Sequence, residues 1–226
     1  MPILISQLTP PVATQWATVD QVKVRILPAL LTAGGAGADS LLSDLIDEAS
    51  ATAAGIVGRP VARAQYSQQL PGYGTQQLRL GRGPLEPSDL TLTLRGDAVD
   101  PTVYAVDSPH ALLVRTDGWI WELTARYGGS AEPIPVGSDL RPDYASTYWA
   151  GYRMPSQPDS DPGTPLPAEL RGVVIRMVVS NYAQTLRGGN GVKSLKKADR
   201  QIEWYGRVLS DADTQILTDE RDLVGP

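Results

Sequence analysis

The chain of 226 residues carries 20 Lys+Arg against 25 Asp+Glu, a formal charge of −5, and no cysteine. Without a thiol there is no Cys nucleophile, Cys-ligated zinc, iron–sulfur cluster or disulfide, and the lone histidine, His110, excludes multi-His metal sites within one chain. The acidic balance argues against a dedicated nucleic-acid binder, which presents a basic face.

Residues 1–15 read as an extended arm. The opening MPILISQLTPPVATQW has no basic n-region, and prolines interrupt its apolar stretch, so it does not read as a signal peptide. No run nears the ~18 apolar residues that span a bilayer, and the expectation is a soluble, intracellularly made protein without a membrane partner. From Thr18 to Leu31, the residues Val19, Val22, Ile26, Leu27, Leu30 and Leu31 keep helical spacing, with Pro28 set to bend or stop the helix. Gly34-Gly35-Ala36-Gly37 reads as a flexible break, after which Asp39 or Ser40 would cap the next helix. That helix has a core face of Leu41, Leu42, Leu45, Ile46, Ala49, Ala53, Ile56 and Val57, and an outer face of Asp44, Asp47 and Glu48. Gly58 and Pro60 end it.

Across 64–152 the period falls from 3.6 to 2. Alternating runs at 76–80, 90–94, 104–106, 112–114 and 119–123, separated by Gly, Pro and Asp turns, predict an antiparallel meander or small barrel that Tyr144–Tyr152 completes. Loops near 128–142 and 153–165 read as mobile tips. After Pro165 and Pro167, Ala168–Leu186 is helical and apolar on two faces. Leu170, Val173, Val174, Met177 and Asn181 mark one; Ile175, Val179, Tyr182 and Leu186 mark the other. A helix of that kind is sandwiched between neighbours. Ala198–Leu217 reads as a last helix. The chain divides into an arm (1–17), N-terminal helices (18–63), an inserted β domain (64–155), C-terminal helices (166–219) and a tail (220–226). This is an α+β fold, a bundle of about four helices with an inserted antiparallel sheet or meander.

Candidate chemical motifs are thin, and no residue set reads as catalytic or metal-binding. Gly188–Ser194 lacks the lysine directly after the final glycine that a phosphate-binding loop needs, and a helix rather than a strand precedes it. Asp159, Asp161 and Gly163 miss the EF-hand spacing, so the stretch reads as an acidic surface loop. His110 has no G-x-S-x-G partner and reads as a turn residue. Lys193, Lys196, Lys197, Arg200 and Arg207 cluster, but Asp199, Glu203, Asp211 and Asp213 are interspersed. The first four are candidates for transient contact with passing DNA, since phosphate neutralisation needs only clustered cations.

The order of elements and a set of short motifs together resemble the head–tail connector (adaptor) proteins of long-tailed bacteriophages and gene transfer agents. The motifs are Val57-Gly58-Arg59-Pro60 at a helix end, Tyr66, Leu78-Arg79-Leu80 running to Pro84, Tyr104 and Trp119. They continue with Tyr148-Trp149-Ala150-Gly151-Tyr152, which looks like the family's Y-x-A-G-Y strand, Leu166-Pro167-Ala168-Glu169-Leu170, and Val192-Lys193-Ser194. The glycine break at 34–37 and the acidic loop at 156–163 depart from the pattern.

The resemblance implies a non-enzymatic virion protein, assembled in the host cytoplasm and needing no cofactor. It implies a ring of roughly twelve copies under the portal, extending the DNA channel and meeting a tail-side completion (stopper) protein. An acidic ring would repel packaged DNA and let it slide. Exposure logic places portal contact on Trp204, Arg207, Val208, Asp211, Ile216 and Leu217, with Ile202, Tyr205 and Leu209 facing inward. Subunit contacts are expected from Leu41, Leu45, Ile175, Val179 and Tyr182. The alternative reading is a carbohydrate- or receptor-binding module with Trp119, Trp121, Tyr148 and Trp149 as stacking platforms.

Overall fold

A computed structural model describes residues 5–70, 75–94, 96–119, 144–186, 194–197, 200–203 and 209–224. The fold is α+β. The described residues fall into two units, one drawn from 1–12, 62–152 and 223–226, the other from 13–61 and 153–222.

The first unit is antiparallel β, as the period-2 runs predict, but it is not a meander. Strands β1 (Ile5–Thr9), β2 (Ala64–Leu70), β3 (Gln77–Arg79), β4 (Thr91–Leu94), β5 (Asp97–Ala98), β6 (Ala105–Asp107), β7 (Leu112–Val114) and β8 (Tyr144–Ala150) build two sheets. One has the order β1-β2-β8-β4-β5 and the other β3-β7-β6. β8 lies between β2 and β4, with Tyr66 opposite Tyr148 and Thr93 opposite Ala145. It therefore gains a hydrogen-bonded ladder on both edges, which a sequential hairpin order would not give it. The arm expected at 1–15 contributes β1, paired with β2 through Ser6 opposite Ser67.

The inward side chains of β2 and β8 alternate with outward ones. They join Leu78, Leu80, Leu92, Leu113 and Trp119 in one buried cluster with Tyr66, Tyr144 and Tyr148. Trp119 meets Tyr144 edge to face at 5.5 Å, and its indole N–H donates to the Leu113 carbonyl at 3.2 Å. Much of the aromatic mass that replaces phenylalanine is buried in this unit. Each polar end needs a partner there.

The second unit is helical: α1 (Val19–Lys23), α2 (Pro28–Gly34), α3 (Ala38–Val57), α4 (Ala168–Leu186) and α5 (Asp211–Val224). A reciprocal cap opens α1, Thr18 Oγ1 accepting from Gln21 N–H and Gln21 Oε1 accepting from Thr18 N–H. Pro28 starts α2 rather than bending α1, because at the first helical position its missing N–H costs nothing. The glycine run is not a loose break. Gly35–Gly37 is a 3-10 turn leading into α3, and a Cβ at Gly34 would fall well inside contact distance of the Tyr182 hydroxyl. The α3 helix starts at Ala38 without a side-chain cap, and Asp39, inside its first turn, pairs instead with Lys23 at 2.7 Å. Gly58, at φ 72°, ends α3 as its position predicts.

Helix α4 packs against α1, α2 and α3, burying Leu170, Val173, Val174, Met177, Val178 and Tyr182. The largest departure lies near the C-terminus. The helix expected over 198–217 is not continuous in the described residues: strands β11 (Ser194–Lys197) and β12 (Arg200–Glu203) pair, and α5 begins at Asp211. Ser210 sets that start, its Oγ accepting from Asp213 N–H at 3.1 Å while the Asp213 carboxylate accepts from Ser210 N–H at 3.4 Å. Strands β9 (Tyr152–Arg153) and β10 (Thr164–Pro165) form a further two-stranded pair.

Candidate functional site

Helix α1 ends with Val22 buried and Val24 outward, 83% exposed. Beside it, α4 turns Ile175 and Val179 the same way. Together with Arg25, Arg171 and Arg176 these side chains line an open groove of about 790 Å³ between α1 and α4. Among the described residues no carboxylate lines it. Arg176 is engaged within the chain by the Asp213 carboxylate, through its Nε at 2.9 Å and through Nη2. Burial by itself would raise the Asp213 pKa, but the hydrogen bonds from Arg176 and Ser210 outweigh it and hold the carboxyl below the usual carboxylate range.

Two of the five residues expected at a subunit interface belong to this groove, Ile175 and Val179. Tyr182 is fully buried, its hydroxyl donating to the Leu30 carbonyl at 3.4 Å, and Leu45 is in the core. Neither presents a surface, because a helix with neighbours on three sides consumes most of its apolar face. Leu41 is half-buried on the outer side of α3. Near it stand Asp44, Asp47 and Glu48, all exposed.

Of the residues expected to meet a portal, the structure describes Asp211, Ile216 and Leu217. Trp204, Arg207 and Val208 lie outside the described residues, as do Tyr205, Lys193 and Trp121. Asp211 is exposed and Ile216 half-buried on α5. Leu217 is a correction: at 0% exposure it belongs to the chain's own core. It shares one face of α5 with Asp213 and Glu220, both also buried. Glu220 pairs with buried Arg59 at 2.5 Å. Lys196, Lys197, Arg200 and Ile202 lie on the β11–β12 hairpin rather than on a helix, Lys197 opposite Arg200 and Leu195 opposite Ile202. Leu209 precedes α5 and is half-buried.

The β unit offers little for a stacking site. Trp119 and Tyr148 are 1% and 0% exposed, so two of the four proposed platforms are core. Tyr148 donates its hydroxyl to Gln68 Oε1 at 2.8 Å, and burial pushes its phenol pKa up. Trp149 carries the Arg63 guanidinium 4.0 Å above its ring. Arg63 in turn donates to Glu86 Oε2 at 2.6 and 2.9 Å, a clamp that covers the indole face.

His110 Nδ1 sits 2.9 Å from the Asp107 carboxylate on an exposed turn. The loop at 153–165, expected to be mobile, is gathered around Arg153, which donates to the Asp159 and Asp161 carbonyls at 2.5 and 2.9 Å. Among the described residues no three His, Asp or Glu side chains are placed to hold a metal ion. No described helix is long and apolar enough to cross a membrane.

Sequence reasoning missed Val24, Arg25 and Arg171. The available signal was the run Val22-Lys23-Val24-Arg25, in which a short helix can bury only one of its two valines.

No protein-family model matches the chain, and no curated protein does. Among solved structures, it is similar to a component of the neck of a native gene transfer agent (GTA) particle computed with C12 symmetry. Identity there is 14%, coverage 95% of this chain and 94% of the other, and the TM-score 0.45. It is also similar to a component of the neck of an empty GTA particle computed with C6 symmetry, at 13% identity, 99% and 96% coverage and a TM-score of 0.46. A chain of a native GTA virion matches at 15% identity, 89% and 100% coverage and a TM-score of 0.36.

Proposed function

We propose that this chain is a structural virion protein of the head–tail neck, an adaptor that forms a ring of copies of itself beneath the portal and extends the DNA channel. The observation that carries the reading is where the connector-like motifs fall. Val57-Gly58-Arg59-Pro60 closes α3 and supplies the buried Arg59 that holds α5. Tyr148 and Ala150 are inward residues of β8, the strand paired on both sides. Leu166-Pro167 leads directly into α4. These connector-like motifs thus occupy junctions on which each unit depends.

In this reading the protein has no catalytic role and resides in the virion, assembled in the host cytoplasm. Its partners are the portal on one side, a tail-side completion protein on the other, and DNA that passes without sequence-specific binding. The open α1–α4 groove supports a protein that is complete only in an assembly, since a half-covered apolar face with a charged rim is what a subunit contact leaves when separated.

The test is mass by light scattering, with negative-stain imaging, of the protein alone and mixed with the portal of its own particle. A ring, or a coaxial ring added beneath the portal, is expected. A monomer that ignores the portal overturns the proposal.

A further inference from the structure

A closed ring needs two different, complementary patches on each copy, and the helical unit carries two that match. We infer that the α1–α4 groove of one copy receives the outer face of α3 from the next copy; this rests on the ring reading above. The groove presents Val24, Ile175 and Val179 with Arg25 and Arg171 at its rim. Neither arginine has an ion-pair partner among the described residues. Asp20 and Glu169 stand on the same two helices without lining the groove.

Helix α3 is the counterpart. Its sequence, Ala38–Val57, contains four carboxylates and no Lys or Arg. Asp39 is taken by Lys23, which leaves Asp44, Asp47 and Glu48 exposed on one side. Positions 44, 47 and 48 are neighbours on a helix surface. Asp47 accepts from Gln15 Nε2 at 2.9 Å, whereas the Asp44 and Glu48 carboxylates have no partner among the described residues. Half-buried Leu41, three residues before Asp44, lies on the same stripe.

Seated in the groove, Leu41 would cover the apolar floor while the carboxylates met the two arginines. The two patches are on different helices, so the contact is heterologous and propagates from copy to copy. Charge complementarity fixes register and partner choice more than raw affinity. The pairing therefore selects one neighbour orientation out of many.

The test uses the full chain, in two parts. Arg25→Glu/Arg171→Glu and Asp44→Lys/Glu48→Lys should each weaken self-association by about a hundredfold or more, read by light scattering. Combining all four changes in one chain should restore it, which also shows that the parts fold. Because the sequence has no cysteine, an Asp44→Cys chain mixed with a Val179→Cys chain should form a disulfide-linked pair under mild oxidation that neither forms alone. Rings that survive both charge reversals, with no cross-link in the mixture, overturn this inference and leave the ring reading standing. A wild-type chain that does not assemble alone or on a portal overturns both.

Discussion

The two units solve the same problem with opposite materials. The β unit closes its aromatic core. Trp119, Tyr144 and Tyr148 are all but inaccessible, and their polar ends are used internally, as in the Tyr148–Gln68 hydrogen bond. The helical unit leaves an apolar groove open and secures its last helix with ion pairs, Arg59–Glu220 and Arg176–Asp213. A sealed core has no further use for its apolar side chains. A unit with a short first helix and an unfilled groove does, and that contrast is why the interface is proposed on the helices.

The comparison breaks most severely if the core of the β unit is not what holds it. Trp119→Ala should cost about 3–5 kcal/mol, from lost burial and the cavity left behind, read as a lowered urea midpoint. In the helical unit, Arg59→Ala should cost a similar ~3–5 kcal/mol by stranding the buried Glu220 carboxylate. If that loss is small, the Arg59–Glu220 pair is not what secures α5, and the contrast weakens.

Smaller changes sharpen it. Gly34→Ala should destabilise by about 1–3 kcal/mol through overpacking against Tyr182, and adding Tyr182→Phe should recover part of the loss, a coupling that a double-mutant cycle measures. The lowered Asp213 pKa gives a sign. Its folded value lies below the unfolded 3.8, so its stabilisation is present above that pH and is lost as the pH falls through the lower folded value. Asp213→Asn should flatten this part of the acid-unfolding profile measured by circular dichroism. The smallest expected effect is Thr18→Ala, about 1 kcal/mol for the α1 cap, read by thermal melting.

Much of the fold was legible because period exposed it. Leu42, Ile46, Ala49, Ala53 and Val57 recur on one face of α3, and Leu92 and Leu113 mark strands, although each of these strands also pairs with one distant in sequence that no turn announces. Where polarity contradicted position, reading failed. β2 buries Gln68 between Tyr66 and Leu70, so its alternation is hidden, and β1, an edge strand with exposed residues between its half-buried ends, shows none. The extended last helix came from treating Ile202 and Ile216 as one periodic series, although Ser210-Asp211-Ala212-Asp213 carries a start signal between them. The interface pair was half legible. Ile175 and Val179 stood out as apolar, but only packing shows that Tyr182 and Leu45 are already spent.

The position of β8 carries a consequence for synthesis. Ala64 of β2 waits for Ala150 of β8, and with roughly 5–20 residues added per second that delay is on the order of ten seconds. For that time β2 has β1 on one edge and nothing on the other, a state prone to mispairing between nascent chains. The helical unit has the same difficulty, since α3 leaves the ribosome long before α4. A chain with so many distant contacts folds slowly, and its yield in a crowded host should depend on holdase chaperones more than its final stability would suggest.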